Sequence, residues 1–116
     1  MIDVTQDVIL LTSRPDTCRD ETEQWLHDNE IGYDKLIMQV REGDQDGNSA
    51  MAADWKVQQL EALEVSGYTI DVVIEDEPKT FMEMMEHGYP VIPIYSGYYC
   101  AYPSCDEIGN ALAKER

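Results

Sequence analysis

Histidine, cysteine and basic residues are all scarce in this 116-residue chain, and each scarcity removes a class of function. Two histidines and three cysteines, Cys18, Cys100 and Cys105, with no Cys-x-x-Cys spacing, leave too few ligands for a structural zinc site. An odd number of thiols is no disulfide framework, so a cytoplasmic protein with reduced cysteines is expected. Eight basic residues against 24 acidic ones give a formal charge of −16, which opposes binding to a nucleic-acid backbone or to anionic lipid. Any nucleic-acid contact is therefore local to Arg14, Arg41 and Lys56. No apolar run approaches the ~20 residues that span a bilayer, and no charged leader with a long apolar stretch opens the chain, so no membrane partner is expected. Repeats and low-complexity segments are also missing. The length is that of one domain, small for an α/β enzyme.

What is present is a regular alternation of apolar runs and helical patterns. Strands rich in Val, Ile and Leu are expected at about Asp7 to Thr12, Lys35 to Gln39, Thr69 to Glu75 and Val91 to Tyr95. Four helices alternate with them. The first runs from about Asp16 to Asn29, with Trp25 and Leu26 as its apolar contact and Gly32 beyond its end. A second, from about Ser49 to Val65, places Ala53, Val57 and Leu60 at helical spacing before Gly67. The third opens on Pro78, a favoured first position, and carries a Phe81, Met84, Met85 stripe before Gly88, with the methionines as core filler. Ser104-Cys105-Asp106-Glu107 matches a capping box, ahead of Ile108, Ala111 and Leu112. Alternation of this kind implies parallel strands covered on both faces, an α/β/α arrangement.

The stretch Val8-Ile9-Leu10-Leu11-Thr12-Ser13-Arg14-Pro15 carries the first chemical signal. A strand, a tight turn and a helix start in succession would gather the hydroxyls of Thr12 and Ser13, free backbone N–H groups and a positive dipole end around one anion. The plainer reading is that Thr12 and Ser13 finish a strand while Asp16 or Thr17 caps the next helix.

Further motifs follow in order: Tyr33 to Met38, Arg41-Glu42-Gly43-Asp44, Asp54-Trp55-Lys56, and Thr69 to Pro78 with Glu75-Asp76-Glu77. Together, from about Asp7 to Ile94, they resemble the haloacid dehalogenase (HAD) phosphatase superfamily, most closely the 3′-phosphatase domain of phage polynucleotide kinases and its small phage-encoded relatives. The resemblance implies a three-layer HAD-like (Rossmann-like) domain over residues 1–116, with Thr12, Ser13, Arg14 and Lys56 on phosphate and Glu75 and Asp76 on Mg²⁺. It also implies an Asp-x-Asp nucleophile motif on a first strand, and none lies upstream of Val8. Asp3-Val4-Thr5 is the one candidate, and Gln6 and Asp7 alone separate it from Val8, against the dozen or so residues that a parallel crossover needs. Glu75 stands where relatives carry Asp, and Glu77 where they often carry Arg.

Deleting the family's central first strand leaves a four-stranded parallel sheet of order 2-1-3-4, with Thr12-Ser13-Arg14 and Glu75-Asp76-Glu77 facing each other at the switch point. A homodimer whose partner fills the gap is the other arrangement the sequence allows. The functional expectation is a degenerate, non-catalytic phosphatase-fold protein, phage-encoded like its relatives, that binds a phosphorylated small molecule, a nucleic-acid end or a protein partner. Two rivals stand beside it. One is a Mg²⁺-dependent phosphatase acting on nucleotides or 3′-phosphate ends; the other is an acidic mimic of nucleic acid that occupies a basic partner.

The remaining constellations have ordinary readings. Residues 41–48 superficially suggest a calcium loop, but the first ligand is Glu42 and the twelfth position is Ala53, so an acidic turn is expected. Tyr95, Tyr98, Tyr99 and Tyr102 form either a recognition surface or a cover for the last helix. His27 and His87 sit near helix ends, without a Ser or Cys partner at triad-like spacing. Cys18 is read as a buried, inert thiol.

Overall fold

In a computed structural model that describes residues 6–40, 49–97 and 103–113, the chain is mixed α/β with parallel strands. Its contacts divide it into two compact units, Met1–Asp46 and Gly47–Arg116.

The first unit is one parallel βαβ. Strand β1 (Ile9–Pro15) and strand β2 (Lys35–Gln39) flank helix α1 (Arg19–Asp28), which a 3-10 turn at Asp16–Cys18 precedes. Leu10 opposes Leu36, and Leu11 opposes Ile37. Leu36 and Met38 alternate with partly exposed neighbours, as the two-residue period of a strand requires, and bury one face against Leu26 of α1. Leu10, Cys18 and Tyr33 pack around that cluster. The inert reading of Cys18 fits this place. Trp25, by contrast, is 57% exposed, so Leu26 alone carries the apolar contact expected of the pair. The chain leaves α1 through Glu30, at φ 56°, three positions after His27 and ahead of the expected Gly32.

The second unit runs α2 (Ser49–Val65), β3 (Val73–Glu75), α3 (Pro78–Glu86), β4 (Val91–Pro93) and α4 (Cys105–Leu112). β3 and β4 are parallel, with Ile74 opposite Ile92. Helix α3 is the hub, against which α2, α4, β3 and β4 all pack. Phe81, Met84 and Met85 are essentially buried, as their spacing predicts, and Ala53, Val57, Leu60 and Leu63 of α2 are buried too. Each of these side chains larger than Ala53 contributes ~1.5–3 kcal/mol by leaving water. Gly67 and Gly88, at φ 111° and 82°, close α2 and α3 in the left-handed conformation that glycine adopts without steric cost. Pro78 takes the first position of α3, and the Ser104/Glu107 capping box closes on itself: Ser104 Oγ accepts the Glu107 N–H at 3.1 Å and Glu107 Oε1 accepts the Ser104 N–H at 3.3 Å.

The expected sheet of order 2-1-3-4 is corrected on one point. The pairs 2-1 and 3-4 form, while the 1-3 junction does not: among the described residues there are two two-stranded sheets. The physical reason lies in β3, where the expected strand from Thr69 shortens to Val73–Glu75, and three residues offer little edge for a further ladder. Val72 and Ile74 remain 50% and 62% exposed, where a central strand would be covered on both faces. Among the described residues no helix is long and apolar enough to cross a membrane.

Candidate functional site

The residues expected to hold phosphate fall into both units, each of which has its own local geometry. In the first unit, Thr12-Ser13-Arg14 is neither a tight turn nor a helix entry. β1 continues through it to Pro15, and the register slips: Thr12 pairs with Met38, and the next pair is Pro15 with Gln39. Ser13 and Arg14 are thus the extra residues of a β-bulge, a device that re-aims side chains and is uncommon between parallel strands. The Arg14 N–H, lost to the ladder, donates to Thr12 Oγ1 at 3.2 Å. That N–H is spent locally, but the Thr12 hydroxyl keeps its own proton to donate elsewhere. Arg14 is exposed at the surface, while Thr12 and Ser13 are half-buried.

The helix end contributes less to an anion than the sequence implies. α1 starts at Arg19, after the 3-10 turn, and neither Asp16 nor Thr17 caps it with a side chain. Asp16 instead accepts from Arg19 Nε at 3.1 Å. Arg19 also reaches Glu23 Oε1 at 3.3 Å and the Leu36 carbonyl at 3.2 Å, tying α1 to β2. Hydrogen bonds that it donates to Asp16 and then Glu23 hold its guanidinium pKa above the ordinary value. With Asp20 and Glu21 in the first turn, the positive end of the dipole already faces acidic groups.

Gln39 is a residue that sequence reasoning missed. It sits opposite Pro15 at the carboxyl end of β2, and its Oε1 is buried without a donor. An orphaned acceptor of this kind costs ~1–3 kcal/mol unless water or a ligand donor meets it. Its position as the last residue of an apolar strand is the only signal in the sequence.

In the second unit Lys56 and Glu75 come together. Lys56 Nζ lies 2.6 Å from Glu75 Oε1, with the two side chains only 13% and 10% exposed. The other carboxylate oxygen, Glu75 Oε2, accepts the N–H groups of Asp76 at 2.9 Å and Glu77 at 3.4 Å. Glu77 is the N-cap of α3: its Oε2 accepts both the N–H and the hydroxyl of Thr80, each at 2.7 Å. Three consecutive acids therefore have distinct surroundings. Glu75 neutralises a buried lysine, Glu77 starts a helix, and half-buried Asp76 separates them.

As placed, this is a poor Mg²⁺ site. The ion takes six oxygens in near-ideal octahedral geometry, and Glu75 is committed through both of its oxygens, which leaves Asp76 as the one carboxylate of the pair to offer. Nor do the described residues contain a group of three or more His, Cys, Asp or Glu side chains set to hold a metal.

The other candidates stay apart. His27 is exposed in the last turn of α1, and His87 Nδ1 lies 3.9 Å from Glu61 with both side chains about half exposed. Tyr95 is 69% exposed, and Cys105 is exposed at the first position of α4. Asp3, Arg41, the 41–48 loop, Tyr98, Tyr99, Cys100 and Tyr102 lie outside the described residues. A comparison of the chain with protein-family models, with curated proteins and with solved structures finds no match in any of the three.

Proposed function

We propose that this chain is a degenerate phosphatase-fold protein of the haloacid dehalogenase type, one that binds a phosphorylated ligand and does not itself hydrolyse it. Thr12, Ser13 and Arg14 are the phosphate-binding residues of the first unit, and Lys56 is the candidate of the second, each taken by itself. The observation that carries the reading is the bulge at Ser13-Arg14. It lies at the carboxyl end of a parallel strand, where ligands of α/β proteins characteristically bind, and it presents an exposed guanidinium beside two hydroxyls. Arg14 is suited to the task because its planar fork meets phosphate oxygens in a bidentate manner.

The non-hydrolytic half of the proposal rests on Glu75. Mg²⁺-dependent phosphoryl transfer needs carboxylates free to hold the metal, and here the first of the pair is tied to Lys56 and to two backbone N–H groups. The same pairing tempers the role of Lys56, whose charge Glu75 already neutralises before any ligand arrives. Arg14 is therefore the stronger phosphate candidate, and Lys56 the weaker.

Calorimetry with a 3′-phosphorylated oligonucleotide and its unphosphorylated twin tests this reading. Binding that depends on the phosphate and drops at least ~10-fold in Arg14→Ala, about the worth of one charged hydrogen bond, is the expected result. Equal affinity for the two oligonucleotides, or indifference to Arg14→Ala, would overturn it. A second reading draws on the charge of −16, which suits capture of a basic protein in place of nucleic acid. That complex would dissolve steeply as salt rises.

A further inference from the structure

In the second unit, an open groove of about 260 Å³ lies between α2 and α3, lined by Ala53 and Asp54 from α2 and by Lys79, Met82, Glu83 and Glu86 from α3. It holds more acid than its surroundings compensate. The charged groups facing Glu83 are Asp54 from α2 and Lys79 and Glu86 from its own helix; β3, β4 and α4, which also pack on α3, contribute none to the described lining. Lys79 sits one helical turn before Glu83, yet the two form no ion pair within 4.0 Å.

Two observations conflict if every carboxyl is ionised. Glu83 Oε2 is buried and meets no N–H or O–H donor. Asp54 lines the same groove from α2, and burial together with hydrogen bonding between the two side chains holds the Glu83 carboxyl protonated above its ordinary range. Two carboxylates so placed repel and have nothing to donate, whereas one proton between them gives the orphaned oxygen a partner and removes a charge from the groove.

We propose that Asp54 and Glu83 share a single proton and that this proton is a pH-sensitive latch between α2 and α3. Aspartic-protease dyads rest on the same principle, in which neighbouring carboxyls cannot both ionise. Here the pair joins two helices, and its loss leaves like charges facing each other across the groove between them.

The direction of the effect follows from the titration. Burial first, then the hydrogen bond with Asp54 and the charges of Asp54 and Glu86, push the Glu83 carboxyl up from 4.5 to about 7. Between those values the folded protein keeps a proton that the unfolded chain has released. Stability is therefore greatest below the unfolded value, falls as pH rises through the window, and levels off above the folded value. This latch is independent of the phosphate-binding reading and would stand if that reading failed.

The test compares the wild type with Glu83→Gln by denaturant unfolding from about pH 5 to about pH 8, together with ¹³C NMR titration of the glutamate side-chain carboxyls. Glutamine preserves shape and supplies a permanent donor to Asp54. The folding constant of the wild type should fall, relative to the variant, by roughly tenfold or more across this range, the exposure of Asp54 screening part of the effect. One glutamate carboxyl should titrate near 7 in the wild type and be missing from Glu83→Gln. The general repulsion of a −16 chain cancels in the comparison. Parallel pH profiles for the two proteins, or a Glu83 carboxyl that titrates in the ordinary range, would overturn the latch. Should Glu83→Gln fail to fold, Asp54→Asn decides the matter: the Glu83 carboxyl should then titrate at lower pH than in the wild type, and an unchanged Glu83 titration would overturn the shared proton.

Discussion

Lys56 and Glu75 form an ion pair with 2.6 Å between Nζ and Oε1, held at 13% and 10% side-chain exposure and joining α2 to the end of β3. At that burial the pair is poorly screened by salt, and each partner sets the charge the other experiences. Glu75 also receives two backbone N–H groups ahead of α3, so one carboxylate organises the helix that forms the hub of the second unit.

Removing one partner should cost far more than removing both. Glu75→Gln leaves a buried ammonium without its counter-charge, and a loss of ~3–5 kcal/mol is expected in urea unfolding. Lys56→Met is milder than Glu75→Gln, because the glutamate keeps its backbone donors. Combining Lys56→Met with Glu75→Gln should recover part of the loss. A strictly additive double variant would show that the two side chains do not interact energetically.

Helix caps offer a second check on local structure. Glu77→Ala strips Thr80 of both its hydrogen bonds and should cost ~1–2 kcal/mol, whereas Ser104→Ala, which opens an exposed capping box, should cost ~1 kcal/mol. Thermal melts of the two variants should therefore rank Glu77→Ala as the less stable. The reverse order would mean that α4 contributes more to the second unit than its single buried Ala111 suggests.

Gln39 separates stability from ligand binding. Its orphaned Oε1 gains nothing in the free protein, so Gln39→Met should match or exceed the wild type in stability, by up to ~1 kcal/mol. If the acceptor serves a ligand donor beside the bulge, the same variant should bind the phosphorylated oligonucleotide less tightly. Destabilisation beyond ~1 kcal/mol, measured by denaturant unfolding, would show that the amide is satisfied in the free protein.

Much of this architecture was legible in the residues. The Phe81, Met84, Met85 stripe, Pro78 at a helix start, Gly67 and Gly88 at helix ends and the Ser104/Glu107 box all register local physics, and each occupies its expected place. What escaped depends on how elements meet. The bulge that continues β1 through Ser13 and Arg14 leaves no trace in composition, because a Thr-Ser-Arg-Pro run fits a turn as well as a strand. The joining of β1 to β3 depends on closing the gap that the family's missing central strand leaves, and nothing in the apolar runs themselves specifies that closure. Trp25 counts as apolar by type and lies exposed, since helical phase places Leu26 toward the strands. The acids Glu75, Asp76 and Glu77 read as one metal motif in sequence, yet their hydrogen bonds give the first to a lysine and the last to a helix cap.

Phosphate release is the most direct test of binding without hydrolysis. A 3′-phosphorylated oligonucleotide and a small aryl phosphate would be incubated with the wild type and with Asp76→Asn, in Mg²⁺ or in EDTA, while binding of the oligonucleotide is followed in the same samples. The account predicts phosphate-dependent binding with no release above the Asp76→Asn background in either condition. Mg²⁺-dependent turnover that Asp76→Asn abolishes would contradict it, and would mean that Glu75 gives up Lys56 to take a metal.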